Sequence, residues 1–399
     1  ETAFVNDIKA DLFDVNTVYV ALDNHKFGDY KPYLLKSTDR GKSWKSIAGD
    51  LPENHLVWRV VQDHIKPDLM FTATEYGIFF TIDSGKKWIK LSGGVPTISF
   101  RDLAIQKEWN DLVGASFGRG FYIFDDYSAL RDISEEKLKE EACVYPVRDA
   151  LLYAPKYGSG DSGSDVFKAD NPPFGAVITY HLAEGYKTKE SEREKEESKL
   201  KKDDKPLTFP EWEVLKDERL EETPKLWITI RDEQGNVVRK ITGPTGKGFH
   251  RVAWDLRYPY WGAIDIHRES RSNWSPSGTW VIPGKYSAEI SKEVNGLITS
   301  LAGPVEFEVN MLYEGALKGM EPAEKLAFRK DVNVLNEAVS AAAITFEDAE
   351  KRVKGMETAL ERMAEPPGGL YEDLYAIKKQ LAEFREQVWG DPAKQELSE

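Results

Sequence analysis

Cysteine is almost missing from this chain: 399 residues contain one, Cys143. An internal disulfide framework is therefore excluded. Histidine is sparse as well. The six residues, at 25, 55, 64, 181, 250 and 267, follow no metal-ligand spacing, and no phosphate loop, nucleophile elbow or calcium-loop pattern occurs. No metal and no cofactor is expected. No apolar run is long enough to span a membrane. Positive charge is in deficit, with a formal net charge of −14, which argues against nucleic acid or an anionic membrane as partner.

Aromatic residues are plentiful, with 11 Trp, 17 Tyr and 18 Phe, as suits a β-rich protein. A short box occurs twice. Ser37-Thr38-Asp39-Arg40-Gly41-Lys42-Ser43-Trp44 is matched by Thr81-Ile82-Asp83-Ser84-Gly85-Lys86-Lys87-Trp88, 44 residues on. The Asp can accept backbone N–H groups across a tight turn, the Gly supplies positive φ, and the hydroxyl ties the turn to the strand before it. The Trp covers the hairpin with a large apolar face. Ser37, Asp39, Gly41, Trp44, Thr81, Asp83, Gly85 and Trp88 are thus read as structural residues, used up by the turn.

Strands flank each box. Phe4 to Ala10, Val18 to Ala21, Tyr33 to Lys36 and Trp44 to Ala48 form a first unit. Val57 to Gln62, Met70 to Ala73, Ile78 to Phe80 and Trp88 to Leu91 form a second. A third has Phe100 to Ile105, Val113 to Ser116 and Phe121 to Phe124, then Asp125-Asp126 where a box should be, and a weak fourth strand at Leu130 to Ile133. Asp7, Arg59 and Asp102 fall in equivalent slots. Four short strands in about 45 residues describe a propeller blade. The fold expected is mainly β: residues 1–134 as three four-stranded blades, 135–170 as a connector, and 171–313 as an immunoglobulin- or fibronectin-like β-sandwich with a charged insertion at 187–223. A helical hairpin or bundle at 320–390 follows. Three blades do not close a propeller, so the remaining blades are the expected partner, from an N-terminal part of the same protein or from another chain.

In the tail, Phe328, Val332, Leu335, Val339, Ala342, Phe346, Ala349, Val353, Met356, Leu360 and Met363 alternate spacings of four and three without a slip, a heptad seam. Pro366-Pro367-Gly368-Gly369 stops it, and Leu370, Leu374, Ile377, Leu381, Phe384 and Val388 carry a second seam. The unbroken phase favours one long first helix over a break near Ile344-Thr345. The two helices should pack antiparallel within the chain, with a dimerising coiled coil as the alternative.

The boxes, together with Asp111 to Asp126, resemble the bacterial neuraminidase-repeat (Asp-box) propeller proteins. More narrowly, they are similar to the secreted sortilin-like or glycosyl-hydrolase-like repeat proteins of bacteria. The likeness continues through Asn171 to Tyr180, Arg251 to Pro259 and Pro283 to Tyr286. It implies a periplasmic, cell-surface or secreted location and further N-terminal blades. It implies no particular activity. Relatives that cleave sugars use arginine clusters and acids, and cleavage needs two carboxyls about 5–9.5 Å apart. Asp7, Asp63, Glu75 and Asp102 are the acids to consider, with Arg59, Arg101 and Arg119 as candidate anion clamps. Trp261 and Trp274, in an aromatic loop between Arg257 and Pro283, could anchor a ligand or wedge the sandwich against the propeller. Asp7, Arg59 and Asp102 read better as blade-to-blade ion pairing. The function expected is non-catalytic binding or assembly with a protein or glycan ligand, the alternative being a glycoside hydrolase completed by residues outside this chain.

Overall fold

The computed structural model describes residues 3–155, 169–266, 277–313, 315–317 and 319–391. It is mainly β and divides into two compact units: Glu1–Asp255 with Lys285–Asn310, and Leu256–Gly284 with Met311–Glu399.

The first unit begins with three antiparallel meanders. Sheet 1 has β1 (Phe4–Ala10), β2 (Val18–Asn24), β3 (Asp29–Ser37) and β4 (Lys45–Ser46) in that order. Sheet 2 repeats it with β5 (Val57–Gln62), β6 (Met70–Thr74), β7 (Gly77–Thr81) and β8 (Ile89–Lys90). Sheet 3 has β9 (Phe100–Gln106), β10 (Asp111–Ser116) and β11 (Phe121–Phe124). It lacks the fourth strand expected at Leu130 to Ile133. That stretch follows a 3-10 turn, Ser128–Asp132, instead. The cause is Tyr127. In place of a Gly-x-x-Trp hairpin, the chain buries this ring against Phe71, at 4.9 Å, and its hydroxyl donates to Asp63.

Consecutive sheets share apolar cores. Tyr19, Ala21 and Leu34 of sheet 1 pack with Val57, Val60, Met70 and Phe79 of sheet 2. Phe71, Ala73, Ile78 and Phe80 from the other side of sheet 2 pack with Phe100, Leu103 and Leu112 of sheet 3. Sheet 2 is thus covered on both faces, and every residue of β6 and β7 is buried.

The stretch expected as a connector contributes strands. β12 (Ala142–Val144) pairs with β14 (Ala176–Leu182), which pairs with β17 (Gly248–Trp254). β13 (Ala150–Leu152) edges a five-stranded sheet with β15 (Lys225–Asp232), β16 (Val237–Gly243), β18 (Gly284–Val294) and β19 (Leu297–Met311), in the order β13-β19-β18-β15-β16. The Gly158 to Ser164 run lies outside the described residues. Trp254 joins the two sheets, with Tyr286 at 5.4 Å and Phe307 at 6.3 Å. The charged insertion forms α1 (Lys189–Lys202) and α2 (Trp212–Leu220), clasped by a bidentate Arg193–Glu218 pair. Thr188 caps α1 by accepting the Ser191 N–H.

In the second unit α3 (Pro322–Glu361) is one continuous helix of 40 residues, with no break at Ile344-Thr345. After the Pro-Pro-Gly-Gly stop, α4 (Leu370–Trp389) returns antiparallel. Val353, Leu360 and Leu374 are buried together, and Phe346 meets Phe384 and Trp389. Lys378–Glu357 and Arg385–Glu350 bridge the flanks.

Candidate functional site: a cleft built on two bulges

Each first strand of the three meanders carries one extra residue. The ladder skips Asn6 between Val5 and Asp7, Trp58 between Val57 and Arg59, and Arg101 between Phe100 and Asp102. A bulged residue leaves the alternation, so its side chain can be re-aimed. Trp58 and Arg101, one sheet apart, both turn into the same cleft of about 490 Å³, lined also by His25, Tyr30, Asn54, Leu56, Glu75 and Tyr76. The Arg101 guanidinium lies 3.6 Å from the centre of the Trp58 ring, a cation–π stack, with Phe117 at 5.1 Å.

Glu75, in the β6–β7 turn, anchors this group. Its Oε2 accepts from Trp58 Nε1 at 2.9 Å and Ser99 Oγ at 3.1 Å, and stands 3.5 Å from Arg101 Nη2. The Arg101 Nε is buried without a hydrogen-bond partner. His25 stands edge-on to Trp58 and is hydrogen-bonded through Nδ1 to the buried Asp23. Tyr30 and Tyr76 are half exposed at the rim. The cleft therefore offers aromatic surface, one arginine and one carboxylate that is already engaged. That set offers a ligand an aromatic face and one cation, with a single acid in the lining.

The other candidates lie elsewhere. Arg59 bridges Asp7, Nη1 to Oδ1 at 3.1 Å, and Asp102, Nε to Oδ1 at 2.9 Å, so it links three sheets. Asp63 is fully buried. Burial pushes its carboxyl up, but Arg131, the Lys66 N–H and the Tyr127 hydroxyl outweigh this and hold it below the usual carboxylate range. Arg119 is exposed on the β10–β11 turn and does not line the cleft. Trp261 is half-buried against Tyr260, at 4.9 Å, in the second unit. Trp274 lies outside the described residues. Among the described residues no group of three or more His, Cys, Asp or Glu could hold a metal ion.

The boxes are closed hydrogen-bond circuits. In the first, Ser37 Oγ donates to Asp39 at 2.8 Å and accepts from the Gly41 N–H, while Ser43 donates twice to Asp39. These donors, Ser43 foremost, hold Asp39 at about 2. In the second, Thr81 donates to Asp83, which also accepts from the Lys86 and Lys87 N–H groups at 3.0 Å. Burial raises the Asp83 carboxyl, and the Thr81, Lys87 and Lys86 bonds lower it further than that. Gly41 and Gly85 have φ of 84° and 86°.

Sequence reasoning named Glu75 and Arg101 but not Trp58, Tyr76 or His25. The available signal was positional: Asn6, Trp58 and Arg101 each precede one of the equivalent residues Asp7, Arg59 and Asp102.

No protein-family model and no curated protein matches this chain. Solved structures do. A bacterial surface component of the type-IX secretion system of Porphyromonas gingivalis, PorZ, matches at 13% identity over 76% of this chain and 30% of its own, with a TM-score of 0.24. A GH74 enzyme of Niastella koreensis matches at 12% over 74% of this chain and 38% of its own, TM-score 0.27. The β-propeller domain of Cps50 (Swd1) from Myceliophteria thermophila matches at 12% over 61% and 62%, TM-score 0.26. This chain spans less than two thirds of each. No helix among the described residues is long and apolar enough to cross a membrane.

Proposed function

We propose that this chain is a sector of an Asp-box propeller, of the secreted sortilin-like or glycosyl-hydrolase-like repeat kind, that acts outside the cytoplasm as a non-catalytic binding and assembly protein. Further blades complete it, an immunoglobulin- or fibronectin-like sandwich follows it, and a protein or glycan ligand is held at the Trp58–Glu75–Arg101 cleft. The domain limits read from the sequence, 1–134 for the blades and 171–313 for the sandwich, belong to this proposal.

One observation carries the reading. Val5 and Ile8 of β1 occupy the slots of Val57 and Val60 in β5 and of Phe100 and Leu103 in β9. In sheets 2 and 3 these positions are buried against the preceding sheet. In sheet 1, Val5 is 57% and Ile8 62% exposed, against 0% for Val57 and 1% for Val60. A face of identical design is bare where its neighbour is covered, and a further blade is the partner it matches. The hydrolase alternative needs a second acid opposite Glu75, supplied from outside this chain.

The test uses thiol accessibility, since the native Cys143 is buried. Ile8→Cys is introduced into the 399-residue chain and into the native material from which the gene derives. A reactive thiol in the former and a shielded one in the latter, with intact mass revealing added blades, is expected. An equally reactive thiol in both would sink the sector reading.

A further inference from the structure

The seam on α3 is uniform in sequence and divided in environment. In its C-terminal half α4 buries every other seam position, with Phe346, Val353 and Leu360 at 6%, 9% and 7% exposed, while Met356 and Met363 between them stay open. α4 ends at Trp389, beside Phe346. From Phe346 back to Phe328 the same heptad phase runs on for about 18 residues, or about 27 Å, beyond its reach. Along it Phe328 is 62% and Leu335 65% exposed, with Val332 and Val339 also open.

Among the described residues, the chain's own loop does not fill the gap. Lys330 lies over the Tyr258 ring and Asn333 Nδ2 donates to Thr279 Oγ1 at 2.9 Å. Positions 330 and 333 are on the side of the helix opposite Phe328, Val332, Leu335 and Val339. Among the described residues, one side of α3 is docked and the seam side is open, in continuity with the α3–α4 interface.

We propose that this stretch pairs with the same stretch of a second copy, antiparallel. The pattern is self-complementary. With Val332 of one copy level with Leu335 of the other, Phe328 meets Val339, so positions of the two seam types alternate across the contact as antiparallel knobs-into-holes packing requires. The flanks agree. Arg329 then faces Asn336 of the second copy and Asp331 faces Ala338, so no like charges meet. In this register the second copy's helix begins level with Thr345, next to where α4 ends. The two partners of α3 then follow one another along the helix.

Sedimentation equilibrium of the full chain tests this. The wild type should associate to a dimer. Leu335→Glu should raise the dissociation constant at least about tenfold, equivalent to about 1.4 kcal/mol, with helix content by circular dichroism unchanged. Oxidative cross-linking gives the register without depending on that variant. A mixture of Phe328→Cys and Val339→Cys chains should form the mixed disulfide. Phe328→Cys alone should not, because its two copies stand about 16 Å apart along the helices, beyond disulfide reach. A monomer at every concentration, a dimer indifferent to Leu335→Glu, or efficient cross-linking of Phe328→Cys with itself would each overturn the proposal.

Discussion

Sheets 1 and 2 are built to one plan and live in different surroundings. Both have four strands, a bulge in the first, and a closed box before the fourth. In sheet 2 the box reaches outward to its neighbour. Trp88 is 5% exposed, its Nε1 donates to the Ile47 carbonyl at 2.9 Å, and its N–H donates to Asp50. In sheet 1 the equivalent Trp44 is 43% exposed and its Nε1 turns back to Gly41 of its own box. The comparison separates two jobs held in one motif. The Ser/Thr, Asp and Gly close the turn in either setting, and Trp88 docks sheet 2 on sheet 1.

The comparison can be broken by mutating the twin tryptophans. Trp88→Ala should cost about 3–5 kcal/mol, as a buried aromatic with a lost inter-sheet hydrogen bond. Trp44→Ala should cost less than about 1.5 kcal/mol in this chain, being half out of the core. Denaturant midpoints at constant slope measure both, and equal losses would mean that the Trp belongs to the turn and not to docking.

A sharper version uses the glycines. A Cβ on Gly85 would lie 2.7 Å from the Ile47 carbonyl oxygen, which is backbone and cannot swing aside, whereas on Gly41 it would meet only a Trp44 ring carbon at 3.5 Å. Both need positive φ, so the shared conformational cost cancels. Gly85→Ala should therefore destabilise by about 2–3 kcal/mol and Gly41→Ala by about 1 kcal/mol, read from the same titrations. If Gly41→Ala proves the worse, the box-to-strand contact is not what holds the sheets together.

The smallest effect is expected with acid. Asp63 and Asp83 are held below the ordinary carboxylate range in the fold. Their contribution is complete above the unfolded value near 3.9 and fades as pH drops through the lower folded values. Stability should thus be flat from neutral pH to about 5 and decline below about 4. Asp63→Asn should flatten that decline while lowering stability at pH 7. A decline of unchanged steepness would remove Asp63 from the acid response.

Much of this was legible in the residues. The boxes stood out because a tight turn demands a hydroxyl, a carboxylate and a glycine at set offsets, and those demands hold wherever the turn sits. The helical seam was legible for a similar reason, since phase follows from periodicity alone. Its coverage was not, because a heptad pattern does not state the length of the helix that will meet it. The third meander's missing strand turned on Tyr127, whose burial against Phe71 is a tertiary event invisible in local spacing. The cleft was half legible. Glu75 and Arg101 drew notice as charges, but Trp58 joins them through a bulge, and a single extra residue in a strand leaves no mark on a short alternating pattern.

The bulge slot has a consequence for how such a protein diversifies. Asn6, Trp58 and Arg101 stand outside the ladder, so the identity of each is decoupled from the register that keeps its strand in place. Exchanging one for another chemistry changes what the surface presents while the strand pairing beneath is kept. Side-chain chemistry at these three positions is thus free to change without first surviving a change of skeleton.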